Sequence, residues 1–200
     1  MIEPLPSEAE LLRRSRRGDA EAFGKLVTHY QDAVYNVVIR MIRNPEDARE
    51  LTQDVFLRAY RRIASFQGRS SLATWLYSIA VNHSISERRR RAAASRAPEI
   101  QMSALGGQDT DSAYDPPAAG PAPADRLNAA ETHREIQRVL AELDDDYRSV
   151  IVLRDIEGLD YSAISDTLGC SRGTVKSRLH RARLQLRGKL RHLFAERGTP

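Results

Sequence analysis

Apolar residues recur at intervals of three and four through most of the first 90 positions. Phe23, Leu26, Val27, Tyr30, Val34, Val37, Val38 and Met41 fall on one side of a helix whose opening residue, Asp19, can cap its first turn. Asn44-Pro45 interrupts that period and restarts it, with asparagine as cap and proline in the first turn. In the helix that follows, Ala48, Leu51, Val55, Ala59 and Ile63 share one face. A polar loop, SFQGRSS, leads to a fourth helix over about residues 72–91, where Trp75, Leu76 and Ile79 suit a buried face. Ahead of all these, Ser7 with Glu10 makes a capping-box pattern for a short first helix.

The last third of the chain repeats the helical period in shorter pieces. Helices are predicted over about residues 131–143 and 147–156, the second ending before Gly158. Asp160 then caps YSAISDTL, Gly169 stops it, and Ser171 caps a final helix running to about Leu193. A short helix, a tight turn containing glycine and a longer helix make a helix-turn-helix. Ile164, Leu168, Val175, Leu179, Ala182 and Leu186 supply its apolar stripe. No run alternates Val, Ile or Thr with polar residues as a strand would, so the fold class is all-α.

The stretch between the two helical parts has no period. From Ala92 to Ala130, twenty of 39 residues are Ala, Gly or Pro, too little apolar surface to offset the entropy of ordering. The chain therefore divides into a helical domain over 1–91, a flexible Ala/Pro/Gly-rich linker over 92–130, and a smaller helical domain over 131–195.

Charge changes the picture more than composition does. The net charge is only +4, but residues 167–200 carry nine basic side chains against one acidic, while 131–166 carry four against ten. A basic stripe on the last helix points to a polyanion. One cysteine excludes an internal disulfide framework and a Cys-rich zinc site. No apolar run reaches the roughly 20 residues of a membrane span, and the N-terminus lacks the apolar segment of a signal peptide. Neither a glycine-rich phosphate loop nor HExxH nor GxSxG is present, and the five histidines are scattered. No catalytic residue, metal site, cofactor or small-molecule substrate is expected.

The second helix of a helix-turn-helix lies in the major groove with its N-terminal residues at base edges. Here Arg172, Lys176, Ser177, His180, Arg181 and Arg183 sit off the apolar stripe. Arginine can bond guanine bidentately, lysine guanine or phosphate, and serine several base edges. Ser171, Thr174 and the helix N-terminus suit a phosphate. In the N-terminal domain, Asp47, Glu50, Gln53 and Asp54 share a helix face, flanked by Phe56 and Tyr60. Thr74, Tyr77, Ser78, Asn82 and the run Arg88–Arg91 are read as lying off the buried face of the fourth helix. Aromatic and amide groups beside a basic run suit an unpaired nucleic-acid strand. On these residues alone, solvated helix faces and a basic helical hairpin remain open.

Taken together and in order, these segments resemble the extracytoplasmic-function (ECF) sigma factors of the sigma-70 family. DARELTQDVFLRAYR resembles region 2.2, FQGRSSLATWLYSIAVNHSISERRRR resembles regions 2.3 and 2.4, and DYSAISDTLGCSRGTVKSRLHRAR resembles region 4.2. The resemblance implies two domains, sigma regions 2 and 4. It implies RNA polymerase core as a partner, at the β′ clamp helices and the β flap, with region 2.2 on the clamp helices and Asp47, Glu50, Leu51, Gln53, Asp54 and Phe56 as core-binding residues. Opening and reading of the promoter −10 element would fall to Gln67, Gly68, Arg69, Ser70, Ser71, Thr74, Asn82 and Arg88. Reading of the −35 element would fall to Ser171, Arg172, Thr174, Lys176, Ser177, His180, Arg181 and Arg183. His180 departs from the family pattern, which often has an aromatic residue there. The resemblance further implies an anti-sigma partner, no membrane insertion, and a cytoplasmic location to which an anti-sigma factor could add a tie at the inner membrane. A conventional helix-turn-helix regulator would account for residues 131–200 but not for the 45–91 block.

Overall fold

The computed structural model describes residues 7–94 and 135–191. Helix α1 spans Glu8–Ser15, α2 Ala20–Ile42, α3 Pro45–Arg62 and α4 Leu72–Ala94, with a 3-10 turn at Ile63–Ser65. Residues 135–141 form α5. Helix α6, Asp145–Ile151, runs on into a π-helical turn at Val152–Ile156, and α7 (Tyr161–Leu168) and α8 (Arg172–Lys189) follow. The described residues contain no strand, in keeping with an all-α fold. Most of the expected linker lies outside the described residues, apart from 92–94, which extend α4.

Four of the caps legible in the sequence are in place. Asp19 accepts from Ala22 N–H, Asn44 from Glu46 and Asp47, Asp160 from Ala163, and Ser171 from Thr174, each satisfying N–H groups that have no partner inside the helix. The Ser7–Glu10 capping box does not form. Ser7 makes no side-chain cap bond, and Glu10 pairs instead with Arg13 one turn on. What fixes α1 is Glu8, which accepts from the hydroxyl of buried Tyr30 on α2. Gly169 closes α7 at φ +62°, a left-handed turn that costs a residue with a Cβ about 1–2 kcal/mol.

Helix α2 is the centre of the N-terminal group. Val34, Val37, Val38 and Met41 are fully buried, and α1, α3 and α4 pack around them. In the C-terminal group α8 packs on α6 and α7 through Val175, Leu179 and Ala182. The sequence set these groups on either side of a tether. The structure joins them: α7 lies on α4, α6 lies on α2, and one apolar cluster runs through both.

Arg148 crosses that junction, 1% exposed. Its guanidinium donates to the carbonyls of Leu140 (2.8 Å), Ala141 (2.5 Å) and Leu143 (2.7 Å) and to Met41 O (2.7 Å) near the end of α2. Carbonyls at and just past a helix C-terminus have no intrahelical donor. A planar fork with five N–H groups can serve several of them at once.

Candidate nucleic-acid interface

Helix α8 presents the expected basic face. Arg172, Lys176, Ser177, His180, Arg181 and Arg183 are all exposed, and Val175, Leu179 and Ala182 occupy the opposite, buried side. This follows from the apolar stripe: once it faces α6 and α7, charged positions between its members must point outward. The N-terminus is shaped by Ser171, whose Oγ accepts from Thr174 N–H (3.1 Å) and lies 2.9 Å from Thr174 Oγ1. Arg172, His180 and Arg181 form no ion pair among the described residues, so their donors are available to a ligand. Lys176 Nζ stands 5.9 Å from the centre of the Tyr161 ring, which also meets Arg154. Arg183 is committed elsewhere: it grips Asp155 through Nε and Nη2 at 3.1 and 2.5 Å, and this bonding raises its pKa. It therefore lies beside the free arginines as a braced group rather than an idle one.

The loop before α4 is held from below and open above. Phe66 is buried and meets Trp75 with ring centres 5.1 Å apart. Gln67, Gly68 and Arg69 are exposed, Gly68 at φ +70°. Ser71 Oγ accepts from Thr74 N–H and lies 2.8 Å from Thr74 Oγ1, so these hydroxyls close the first turn of α4. Ser70 is half-buried and Asn82 exposed. Thr74 and Tyr77, expected off the buried face, are buried. Helix α4 is packed on several sides, by α2, α3 and α7, and Glu157 reaches Tyr77 from just past the π-helical turn. Burial, and then the Glu157 carboxylate, drive the Tyr77 phenol far above its ordinary range.

The basic run at the end of α4 is partly neutralised. Glu87 binds Arg90 and Arg91, which together hold its carboxyl down at about 2, so it stays ionised at neutral pH. Arg91 also reaches Asp47 on α3. Arg88 is turned inward, 2.8 Å from the Asp145 carboxylate of α6.

Helix α3 carries the acidic face. Glu50, Gln53 and Asp54 are exposed, and Asp54 lies 3.3 Å from His83 Nε2 on α4. Leu51 and Phe56, assigned to core binding by the resemblance, are 5% and 8% exposed. They share the stripe of Ala48, Val55 and Ala59, so they support the face from inside. One residue of this surface escaped the sequence reading. Leu57 is 55% exposed beside Asp54, on the rim of a groove completed by Arg58, Arg61 and Arg62. Its signal is a large apolar residue out of phase with the buried stripe.

The described residues contain no cluster of His, Cys, Asp and Glu able to hold a metal. No helix among them is long and apolar enough to cross a membrane.

Comparison with known proteins converges on one family. Residues 26–94 match the model of sigma-70 region 2, and residues 133–186 that of sigma-70 region 4. The chain is 35% identical over 184 residues to the ECF RNA polymerase sigma factor SigW of Bacillus subtilis, covering 91% of this chain and 96% of that protein. It is 33% identical to the ECF RNA polymerase sigma-E factor of Haemophilus influenzae, over 97% and 100% of the two chains. Its fold is shared with the sigma factor RpoE, solved with the anti-sigma factor NepR from Bartonella quintana (TM-score 0.63, 24% identity, 86% and 98% coverage). With both regions present in order and a relative at this identity matched almost end to end, the chain belongs to the extracytoplasmic-function group of the sigma-70 family of RNA polymerase sigma factors.

Proposed function

We propose that each surface of this sigma factor has one task in promoter-specific initiation. Glu50, Gln53 and Asp54, with Asp47 at their edge, dock α3 on the β′ clamp helices of polymerase core. The 67–71 loop and α4, with Asn82 and Arg88, trap and read the unpaired −10 strand. Helix α8 reads the −35 duplex through Arg172, Lys176, Ser177, His180 and Arg181, with Ser171 and Thr174 at a phosphate and Arg183 bracing the helix. The β flap receives the C-terminal domain. The division is 1–91 for region 2, 92–130 as linker and 131–195 for region 4.

The observation that carries this reading is the separation of free and committed charge on α8. Arg172 and Arg181 are exposed and form no ion pair among the described residues, while Arg183 is locked to Asp155. Extruding a base from a duplex costs a few kcal/mol, and stacking and phosphate contacts in region 2 can offset that cost. Two modest contacts held on one particle act as a bivalent one. In this reading the protein acts by binding, in the cytoplasm, and polymerase performs the chemistry. The sigma factor RpoE, of similar fold, was co-crystallised with an anti-sigma factor, and a partner of that kind here would cover these same surfaces.

Run-off transcription with purified core on a promoter library tests the assignment. Transcripts that depend strictly on this protein support it. A protein that only modulates an existing holoenzyme would be a conventional helix-turn-helix regulator. Within that assay's best −35 sequence, Arg181→Ala is expected to weaken binding by about 1–3 kcal/mol. An equal loss on random duplex, measured by competition anisotropy, would show that Arg181 supplies charge without readout.

A further inference from the structure

The turn between α1 and α2 carries a pair of arginines that neither the polymerase-binding nor the promoter-reading surfaces use. The run RRSRR ends α1 and divides by function. Its first pair is spent on the fold: Arg13 binds Glu10 at 2.7 Å, and Arg14 Nε donates to Asp19 at 2.8 Å. Ser15 between the pairs is buried, its hydroxyl on Leu11 O. The second pair, Arg16 and Arg17, is exposed and forms no ion pair among the described residues.

The backbone beneath that second pair is fixed. Arg17 N–H donates to Arg14 O at 2.9 Å and Gly18 N–H to Ser15 O at 3.0 Å. Gly18 then turns the chain at φ +91°, and Asp19, gripped by Arg14, caps α2. Two cations are thus held outward on a closed turn, so little backbone freedom is lost when they meet a ligand.

The topology brings this turn to the end of the helical group that holds the 67–71 loop. Phe23, in the first turn of α2, meets Tyr60, in the last turn of α3, with ring centres 5.0 Å apart. At the far end Arg88 of α4 reaches Met41 O of α2, and α4 packs along α2 between these points. At about 1.5 Å per residue, Leu72 lies about 24 Å before Arg88 and Phe23 about 27 Å before Met41. The two helices therefore begin at one level. Arg61, Arg62 and Arg69, also exposed and without an ion pair among the described residues, lie at that same end.

The chemistry of the turn selects the partner. Among the described residues the exposed large apolar side chains are Leu57, Tyr60, Ile136 and Leu184, none of them in the turn. A protein interface is built around an apolar or aromatic centre, whereas a nucleic-acid backbone is bound by charge alone. The turn also lies ahead of residues 26–94, the part matched to region 2.

We infer that Arg16 and Arg17 are a second grip on the unpaired strand, taking backbone phosphates of nucleotides that flank the −10 element as the strand leaves the 67–71 loop. The inference rests on the reading of that loop as the strand-binding site. The two can fail separately, because a strand held by the loop could leave by another route.

The test uses holoenzyme assembled from core and the full chain, titrated by anisotropy with two labelled single strands. One is the −10 segment of the best promoter from the run-off library, and the other is the same segment lengthened by eight mixed-sequence nucleotides at each end. Arg16→Gln combined with Arg17→Gln should weaken the long strand about fivefold and the short one less than twofold, with the urea midpoint of the isolated protein unchanged. On the long strand the slope of log K against log salt should flatten by about 1.4, at about 0.7 per phosphate contact. Arg16→Lys with Arg17→Lys keeps both charges and should behave like the parent. Arg13→Gln removes a charge from the same helix at an ion-paired position and should shift affinity less than twofold. Equal losses on the two strands, an equal loss from Arg13→Gln, or an unchanged salt slope would overturn the grip. A parent holoenzyme that holds the short strand and binds the long one no better would overturn the grip while leaving the loop in its role, and one that binds neither would overturn both.

Discussion

Replacing Arg148 with methionine is expected to destabilise the folded chain by about 3–5 kcal/mol, read as a fall in the urea midpoint at unchanged slope. The substitution keeps much of the side-chain volume, so the loss is not a cavity. It arises because four carbonyl oxygens lose a guanidinium donor in a buried site, where only Met41 O keeps a second one, Arg88 at 3.4 Å. Each buried acceptor left unpaired costs on the order of 1–3 kcal/mol, less whatever local relaxation recovers. Three of the four lie in residues 140–143, so most of the loss falls within the C-terminal group even where the domains have parted. Arg148→Lys, with charge but no fork, should recover only part of it. A loss under about 1 kcal/mol for Arg148→Met would mean that water or a neighbour already serves those carbonyls.

The acidic face of α3 gives the second large effect. Glu50→Lys combined with Asp54→Lys is expected to weaken binding to polymerase core about 100-fold, or roughly 2.7 kcal/mol. Placing like charges across an interface costs several kcal/mol. Both positions are exposed, and among the described residues their one salt-bridge contact is Asp54 with His83, 3.3 Å apart, with the carboxylate half open to water. Such pairs contribute about 0–1 kcal/mol, so the isolated protein should unfold almost where the parent does. Anisotropy with labelled protein and purified core reads the affinity. A change below threefold would remove α3 from the docking surface.

Much of the fold was legible because its signals are local. The caps at Asp19, Asn44, Asp160 and Ser171 and the stop at Gly169 are decided within a few residues, as are the apolar stripes of α2, α3 and α8. The exposed face of α8 follows from its stripe by geometry. What the sequence concealed was settled at long range. Tyr77 and Thr74 sit off the stripe set by Leu76 and Ile79 yet are buried, Tyr77 beside Glu157 from the far end of the chain. Leu51 and Phe56 joined the docking set through the resemblance, whereas their phase with Val55 and Ala59, legible for Leu51 in the sequence itself, places them inside. Arg148 looks like one more charge in a basic chain until its four carbonyl partners, one of them 107 positions away, converge on it. The Ser7–Glu10 pattern failed for the opposite reason. A strong neighbour, Arg13, was available one turn along, and a capping box survives only where nothing competes for its carboxylate.

Polymerase core mixed with duplex promoter DNA bearing 2-aminopurine at the −10 position tests the division of labour most directly. Fluorescence should rise, reporting an unstacked base, only when core and this protein are both present. It should stay at the duplex level with either alone. A rise with core alone, or none with the two together, would contradict the account.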